Sequence, residues 1–165
     1  MSISLEHIWP PFTSLSPTPQ AIKIVKGKGT KIYDDKGNSY IDAVSSWWVN
    51  PLGHCHDGIT QAIKDQLDKL EHVIMAGFVH PPALELTEAL MNITQQNFEK
   101  VFFSDNGSTS VEVALKMAVQ YFENTGQPKK TFIAFEKAYH GDTFGAMSVG
   151  GEDVFFSAFN AFRFQ

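Results

Sequence analysis

Apolar residues recur with two different periods along this chain, and the change of period divides it. Over residues 21–26, 31–34 and 39–44 they fall in short runs separated by Gly27-Lys28-Gly29 and by Asp35-Lys36-Gly37-Asn38. Glycine and asparagine supply the positive φ of tight turns, so the runs predict three strands in a small antiparallel meander. The spacing then becomes helical. Ile59, Ile63, Leu67 and Leu70 mark one face of a helix over residues 58–71, with Asp57 as its expected N-cap. A second helix follows Pro81-Pro82, with Leu84, Leu86, Leu90 and Ile93 on or near one face. Proline suits a first turn, where its missing N–H has no acceptor anyway. Residues 100–104 (KVFFS) read as a buried strand, and Val111, Ala114, Leu115, Ala118 and Phe122 as the buried stripe of a long helix ending at Gly126. A further strand is expected over 131–135. Strand, helix, strand in this order predicts an α/β unit with parallel strands. Ahead of the meander, Pro10, Pro11, Pro17 and Pro19 exclude a helix from residues 1–20 and predict an extended arm.

Four segments carry candidate chemistry. At Asp105-Asn106-Gly107-Ser108-Thr109-Ser110 a strand is expected to run directly into a helix. The first N–H groups of a helix lack intrahelical partners, and the helix dipole adds about half a positive charge there, so such a junction can bind a phosphate. Gly107 would let the backbone approach closely, and the hydroxyls are further donors. The same residues also suit a plain N-cap by Ser108 or Ser110. Tyr139-His140-Gly141-Asp142-Thr143 follows the next expected strand, on the edge where ligands of open α/β sheets bind; it could equally be a turn with Asp142 capping the following helix. Trp47 and Trp48 are adjacent, and on an extended segment they would face opposite ways, one lining a pocket or both packing at a seam. His54-Cys55-His56 offers zinc-type ligands, but four are needed and no second cysteine exists, so no metal site is expected.

Composition narrows the class. The net charge of −5 and the pI of about 5.6, with no basic stripe, argue against nucleic-acid binding. One cysteine excludes an intrachain disulfide framework. No apolar run approaches the ~20 residues of a spanning helix, and the start of the chain has no secretory pattern. No membrane partner and a cytoplasmic location are therefore expected. The 165 residues fit one domain, but Phe144, Phe155, Phe156, Phe159, Phe162 and Phe164 crowd the end of the sequence with no polar tail behind them.

Together these pieces resemble a known family. His7-Ile8-Trp9-Pro10-Pro11-Phe12-Thr13-Ser14, Ser45-Ser46-Trp47-Trp48, Asp105-Asn106-Gly107-Ser108 leading to Val111-Glu112-Val113-Ala114, and Tyr139-His140-Gly141-Asp142-Thr143-Phe144-Gly145-Ala146-Met147-Ser148 are similar, in order and spacing, to the class III aminotransferases. These are fold type I enzymes dependent on pyridoxal 5′-phosphate (PLP). The Gly-Ser and Tyr-His-Gly segments resemble the whole class, and the arm and double tryptophan resemble its biotin-synthesis branch. The resemblance implies an α/β fold in which residues 1–50 form the arm and small-domain meander, and 51–165 an incomplete large cofactor-binding α/β domain. It implies that Gly107 and Ser108 bind the cofactor phosphate, that Tyr139 packs by the cofactor ring and lines the substrate site, and that Asp142 supports that pocket. Trp47 and Phe12 would contact substrate. The branch usually has tyrosine where Phe12 stands, so the stacking face is kept and a hydroxyl is lost. The implied reaction moves an amino group from S-adenosylmethionine to 8-amino-7-oxononanoate, giving 7,8-diaminononanoate, in a homodimer. The cofactor-linking lysine and the aspartate at the ring nitrogen would lie beyond residue 165, and Lys100, Lys116 and Lys137 match neither position. The chain is thus expected to be an N-terminal portion, inactive alone, with no catalytic residue of its own. Two alternatives remain: another class III substrate, such as an ω-amino acid or amine, or a non-catalytic interaction module from a truncated gene.

Overall fold

The computed structural model describes residues 7–16, 21–151 and 156–164. Pro17, Pro19 and Phe155 lie outside them. The chain divides into two compact units, Met1–His80 and Pro81–Gln165.

The first unit contains the expected meander: β1 (Ile24–Lys28), β2 (Lys31–Asp34) and β3 (Ser39–Ile41), antiparallel in the order β1-β2-β3. Ile32 stands opposite Gly27 on one side and Tyr40 on the other, with a bulge between Ile24 and Lys26. The β2–β3 turn is organised by Asp34, a buried carboxylate. It accepts hydrogen bonds from the Lys36 and Asn38 N–H groups, the Asn38 amide and the Tyr40 hydroxyl, at 2.8–3.0 Å. These donors, Asn38 first, hold its carboxyl below the usual carboxylate range, which is how an aspartate remains charged in so enclosed a place. Before the sheet, the arm bends: the Thr13 hydroxyl donates to the Pro10 carbonyl at 2.6 Å, and the Trp9 indole N–H donates to the Thr13 carbonyl at 3.1 Å.

An isolated antiparallel bridge ties the sheet to the segment after it, with paired Gly29–His54 backbone bonds of 2.8 and 3.0 Å. The bridge depends on close approach. Gly53 holds φ +88°, and a Cβ there would meet the Gly29 backbone at 3.0–3.1 Å. Gly53→Ala is expected to destabilise this unit by about 1–3 kcal/mol, read as a lowered urea midpoint, because an L side chain is disfavoured there and the neighbour it meets is backbone.

Helix α2 (Asp57–Leu67) follows. Its N-cap is His56, whose Nδ1 accepts from the Ile59 N–H at 3.4 Å, rather than the expected Asp57. Asp57 sits inside the first turn instead, where its negative charge suits the helix dipole.

The second unit opens with α3 (Pro81–Ile93), continues with α4 (Gly107–Asn124) and α5 (Phe144–Ser148), and closes with a 3₁₀ turn over Ser157–Phe162. Its buried apolar residues among those described are Ala83, Ala146, Met147 and Phe156. The two strands expected at 100–104 and 131–135 are not formed: neither segment joins a sheet among the described residues. Ile133 is 100% and Phe135 87% exposed. A strand exists only through ladder bonds to a neighbour, so apolar composition alone does not make one. Among the described residues no helix is long and apolar enough to cross a membrane.

Candidate functional site

The expected site residues fall into two groups, one in each unit. In the second unit they surround the start of α4. Asn106, extended at φ −161°, is the N-cap: its side-chain oxygen accepts from the Thr109 N–H at 3.0 Å, and the Thr109 hydroxyl oxygen accepts from the Asn106 N–H at 3.2 Å. This reciprocal capping box replaces the expected cap by Ser108 or Ser110. Both serines already lie inside the helix, and a cap must precede the first helical residue. Ser110 donates back to the Asn106 carbonyl at 2.9 Å. Ser108 is left for another role, accepting the Asp142 N–H at 3.2 Å. Its hydroxyl proton is then available to an acceptor. A Cβ built on Gly107 would meet nothing within 4 Å, so the space above the first turn is open. Open space, first-turn N–H groups without intrahelical acceptors and a serine hydroxyl form a donor set that fits a phosphate.

The 139–143 segment packs onto this helix start. Gly141 holds φ +129°, and a Cβ there would fall 2.7–2.8 Å from Ser108 Cβ and Cα. The Tyr139 hydroxyl donates to Asp142 Oδ2 at 3.1 Å, and its ring lies nearly parallel to Phe156 at 6.2 Å. Partial burial, then the Asp142 carboxylate, raises the Tyr139 pKa, so the phenol is a hydrogen-bond donor at neutral pH. Ser108, Tyr139 and Asp142 are thus connected, beside Gly107.

One participant was not foreseen. Glu112 Oε1 accepts from the Gly145 N–H at 2.7 Å and the Ala146 N–H at 3.3 Å, fastening α5 to α4. Its carboxyl is held below the ordinary range by Thr143 first and then by these two N–H groups. The Thr143 hydroxyl is buried near the carboxylate but outside the geometry of a formed hydrogen bond. The available signal was spacing: Glu112 is four residues after Ser108, hence on the same helix face.

The second group lies in the first unit. The Phe12 ring stacks on Trp47 at 5.6 Å and 18°, and Trp47 meets Trp48 edge-on at 6.1 Å. The tryptophans do not lie on an extended segment. They belong to a single turn, α1 (Ser45–Trp48), whose four residues hold φ of 50°, 49°, 64° and 68°. Both rings are exposed. Left-handed backbone is unfavourable for L-residues, and here Asp42 supports it. Asp42 Oδ2 accepts the Ser46 hydroxyl at 2.6 Å and lies 2.8 Å from His54 Nε2. The side chains of Asp42 and His54 are only 7% and 17% exposed. The Ser46 hydroxyl and N–H, then His54, push the Asp42 carboxyl down to about 2. His54, in the triplet considered for metal, is committed to Asp42, and His56 to capping α2.

The chain is 52% identical over 159 residues to adenosylmethionine-8-amino-7-oxononanoate aminotransferase of Synechococcus elongatus, covering 96% of this chain and 38% of that protein. It is 45% identical to the protein of that name from Geobacter sulfurreducens, over 96% of this chain and 36% of the relative. The chain therefore spans well under half the length of these curated relatives. The crystal structure of the Methanocaldococcus jannaschii protein of the same name superposes with a TM-score of 0.91 at 40% identity, covering 97% of this chain and 37% of that one. An amine transaminase from an uncultivated Pseudomonas species, solved in its PLP-bound form, gives 0.82 at 33% identity, over 93% of this chain and 36% of that one. The family model described as "Aminotransferase class-III" matches residues 14–163. By that match, across nearly its whole length, the chain belongs to the class-III aminotransferase family.

Proposed function

We propose that this chain supplies the cofactor-phosphate and ring-face part of a PLP-dependent aminotransferase. In this reading the enzyme transfers the amino group of S-adenosylmethionine to 8-amino-7-oxononanoate in biotin synthesis. The observation that carries it is the assembly of Ser108, Tyr139 and Asp142 against the open start of α4, in a chain of this family. PLP, when bound, supplies a conjugated ring that takes up the electron pair released as a substrate C–H bond breaks. This chain's part is binding and orientation. The Gly107 and Ser108 N–H groups and the Ser108 hydroxyl hold the phosphate. Tyr139 offers its ring face, with its hydroxyl fixed by Asp142. Trp47 and Phe12 contact substrate, and no lysine of this chain takes the cofactor-linking role. The whole protein is proposed to be a cytoplasmic homodimer.

The names of the relatives support S-adenosylmethionine as amino donor. Phe12 in place of the branch's tyrosine favours a second reading, in which the donor is an amine or ω-amino acid. Grafting this chain onto the remainder of the Synechococcus elongatus relative separates the two. The graft, supplied with PLP and 8-amino-7-oxononanoate, is expected to form 7,8-diaminononanoate with S-adenosylmethionine and not with simple amines, while the 165-residue chain alone forms none. Preference for an amine donor would favour the second reading, and turnover by the chain alone would refute the division of roles.

A further inference from the structure

We propose that Glu112 is a positioning residue for phosphate recognition: from the second turn of α4 it holds the 139–146 segment against Ser108, so that the donors at the helix start face a phosphorylated ligand as one preset group. This rests on the reading of Gly107 and Ser108 as phosphate donors.

The geometry is a clamp with two points on one helix face. Ser108 and Glu112 are four residues apart, so their side chains leave α4 on the same side. The first point is the Asp142 N–H on the Ser108 hydroxyl, and the second is the Gly145 and Ala146 N–H pair on Glu112 Oε1. Two residues, Thr143 and Phe144, separate the points, too few for either end to move alone. Bonds from N–H groups to an ionised carboxylate are among the stronger ones, which makes Glu112 the firmer anchor. The sequence leaves room for it. A Cβ on Gly145 would sit 2.6 Å from the Glu112 carboxyl carbon. The Asp142 N–H on the Ser108 oxygen fixes the orientation of the hydroxyl and leaves its proton free to donate to a ligand, and that contact persists only while the segment stays docked. A negative charge near a phosphate is itself unfavourable, so Glu112 acts by holding its neighbours and not by attraction.

The test uses pyridoxine 5′-phosphate and pyridoxine, which differ in the phosphate and lack the aldehyde that would react with surface lysines. Equilibrium dialysis against the full chain gives the ratio of their dissociation constants. The parent is expected to prefer the phosphate ester. In Glu112→Ala the preference should fall by at least about tenfold. Glu112→Gln keeps an acceptor oxygen and should stay within about threefold of the parent. Gly145→Ala displaces the carboxylate without touching Glu112 and should behave like Glu112→Ala. Urea unfolding of each variant shows whether it is folded. A folded Glu112→Ala that keeps the parent's ratio, or weakens both ligands equally, overturns the proposal. Should Glu112→Ala not fold, Gly145→Ala decides by the same criterion. A parent without phosphate preference overturns instead the underlying reading of Gly107 and Ser108, and this inference with it.

Discussion

Gly141→Ala should lower the unfolding free energy of the second unit by on the order of 3 kcal/mol and detach the 139–143 segment from α4. Two independent costs act together. At φ +129° an L side chain is strained whatever the space around it, and the space is taken: the new methyl would fall 2.8 Å from Ser108 Cα and 2.7 Å from its Cβ. Neither atom is the free end of a flexible side chain, so the segment must retreat, and the Asp142–Ser108 bond goes with it. The effect exceeds that at Gly53, where the nearest atoms are at 3.0 Å and a shift of a few tenths of an ångström suffices. Urea unfolding gives the stability change, and hydrogen exchange at the Asp142 amide reports the local contact. Exchange at that amide should approach the rate of an open loop. A variant within about 0.5 kcal/mol of the parent, with Asp142 still protected, would show that the approach of Gly141 to Ser108 is not a constraint.

The two sites differ in how far local sequence reveals them. The meander was legible because its turns carry their own signals: Gly37 takes the positive φ of +86° that the turn needs, and β2 and β3 pair across it. Helices α2, α3 and α4 follow from apolar spacing over many residues and lie within a few residues of their expected bounds, but the stripe expected to be buried on α4 is not: neither α2 nor α4 holds a buried residue. The 100–104 and 131–135 segments share the composition of strands, yet strand formation is a property of pairs, and neither has a pairing neighbour among the described residues. Capping was misassigned at both α2 and α4 for one reason. Several adjacent residues could serve, and the choice of His56 and Asn106 depends on which one takes extended backbone. Ser108, Tyr139 and Asp142 were singled out from an expected strand end and from family resemblance; the strand is not formed, and their mutual contact is a finding of the structure. Glu112 carried only its spacing from Ser108, a weak signal because a glutamate in an amphipathic helix usually faces water. The least legible element is α1. Nothing in Ser-Ser-Trp-Trp favours four left-handed residues, and the partners that hold them come from Asp42 and His54, outside the tetrapeptide.

That dependence can be measured. Asp42→Ala is expected to abolish most of the near-UV circular dichroism of the Trp47–Trp48 pair, because α1 should relax to ordinary backbone once its support is removed. Left-handed backbone costs about 1–2 kcal/mol per residue, hence on the order of 4–8 kcal/mol over four residues. Local backbone bonds, such as Trp48 N–H to the Val44 carbonyl at 2.9 Å, exist in many competing turns and do not select this one. Asp42 does select it, since its carboxylate reaches the Ser46 hydroxyl inside the turn and His54 outside it at once. Acid offers a second, independent reading. The folded carboxyl is lowered to about 2, against about 3.9 in an unfolded chain. Its contribution to stability is therefore fully present above pH ~4 and is lost as the pH falls toward 2. Asp34, Asp57 and Glu112 are also lowered and steepen the same limb in the parent, so the quantity to compare is the difference between parent and variant melting temperatures. That difference should shrink between pH 4 and 2. Ser46→Ala, which leaves the His54 contact in place, should lose less of the tryptophan signal than Asp42→Ala. If Asp42→Ala keeps the full tryptophan signal, the turn is held by its own backbone, and the pose of Trp47 against Phe12 does not depend on the Asp42–His54 pair.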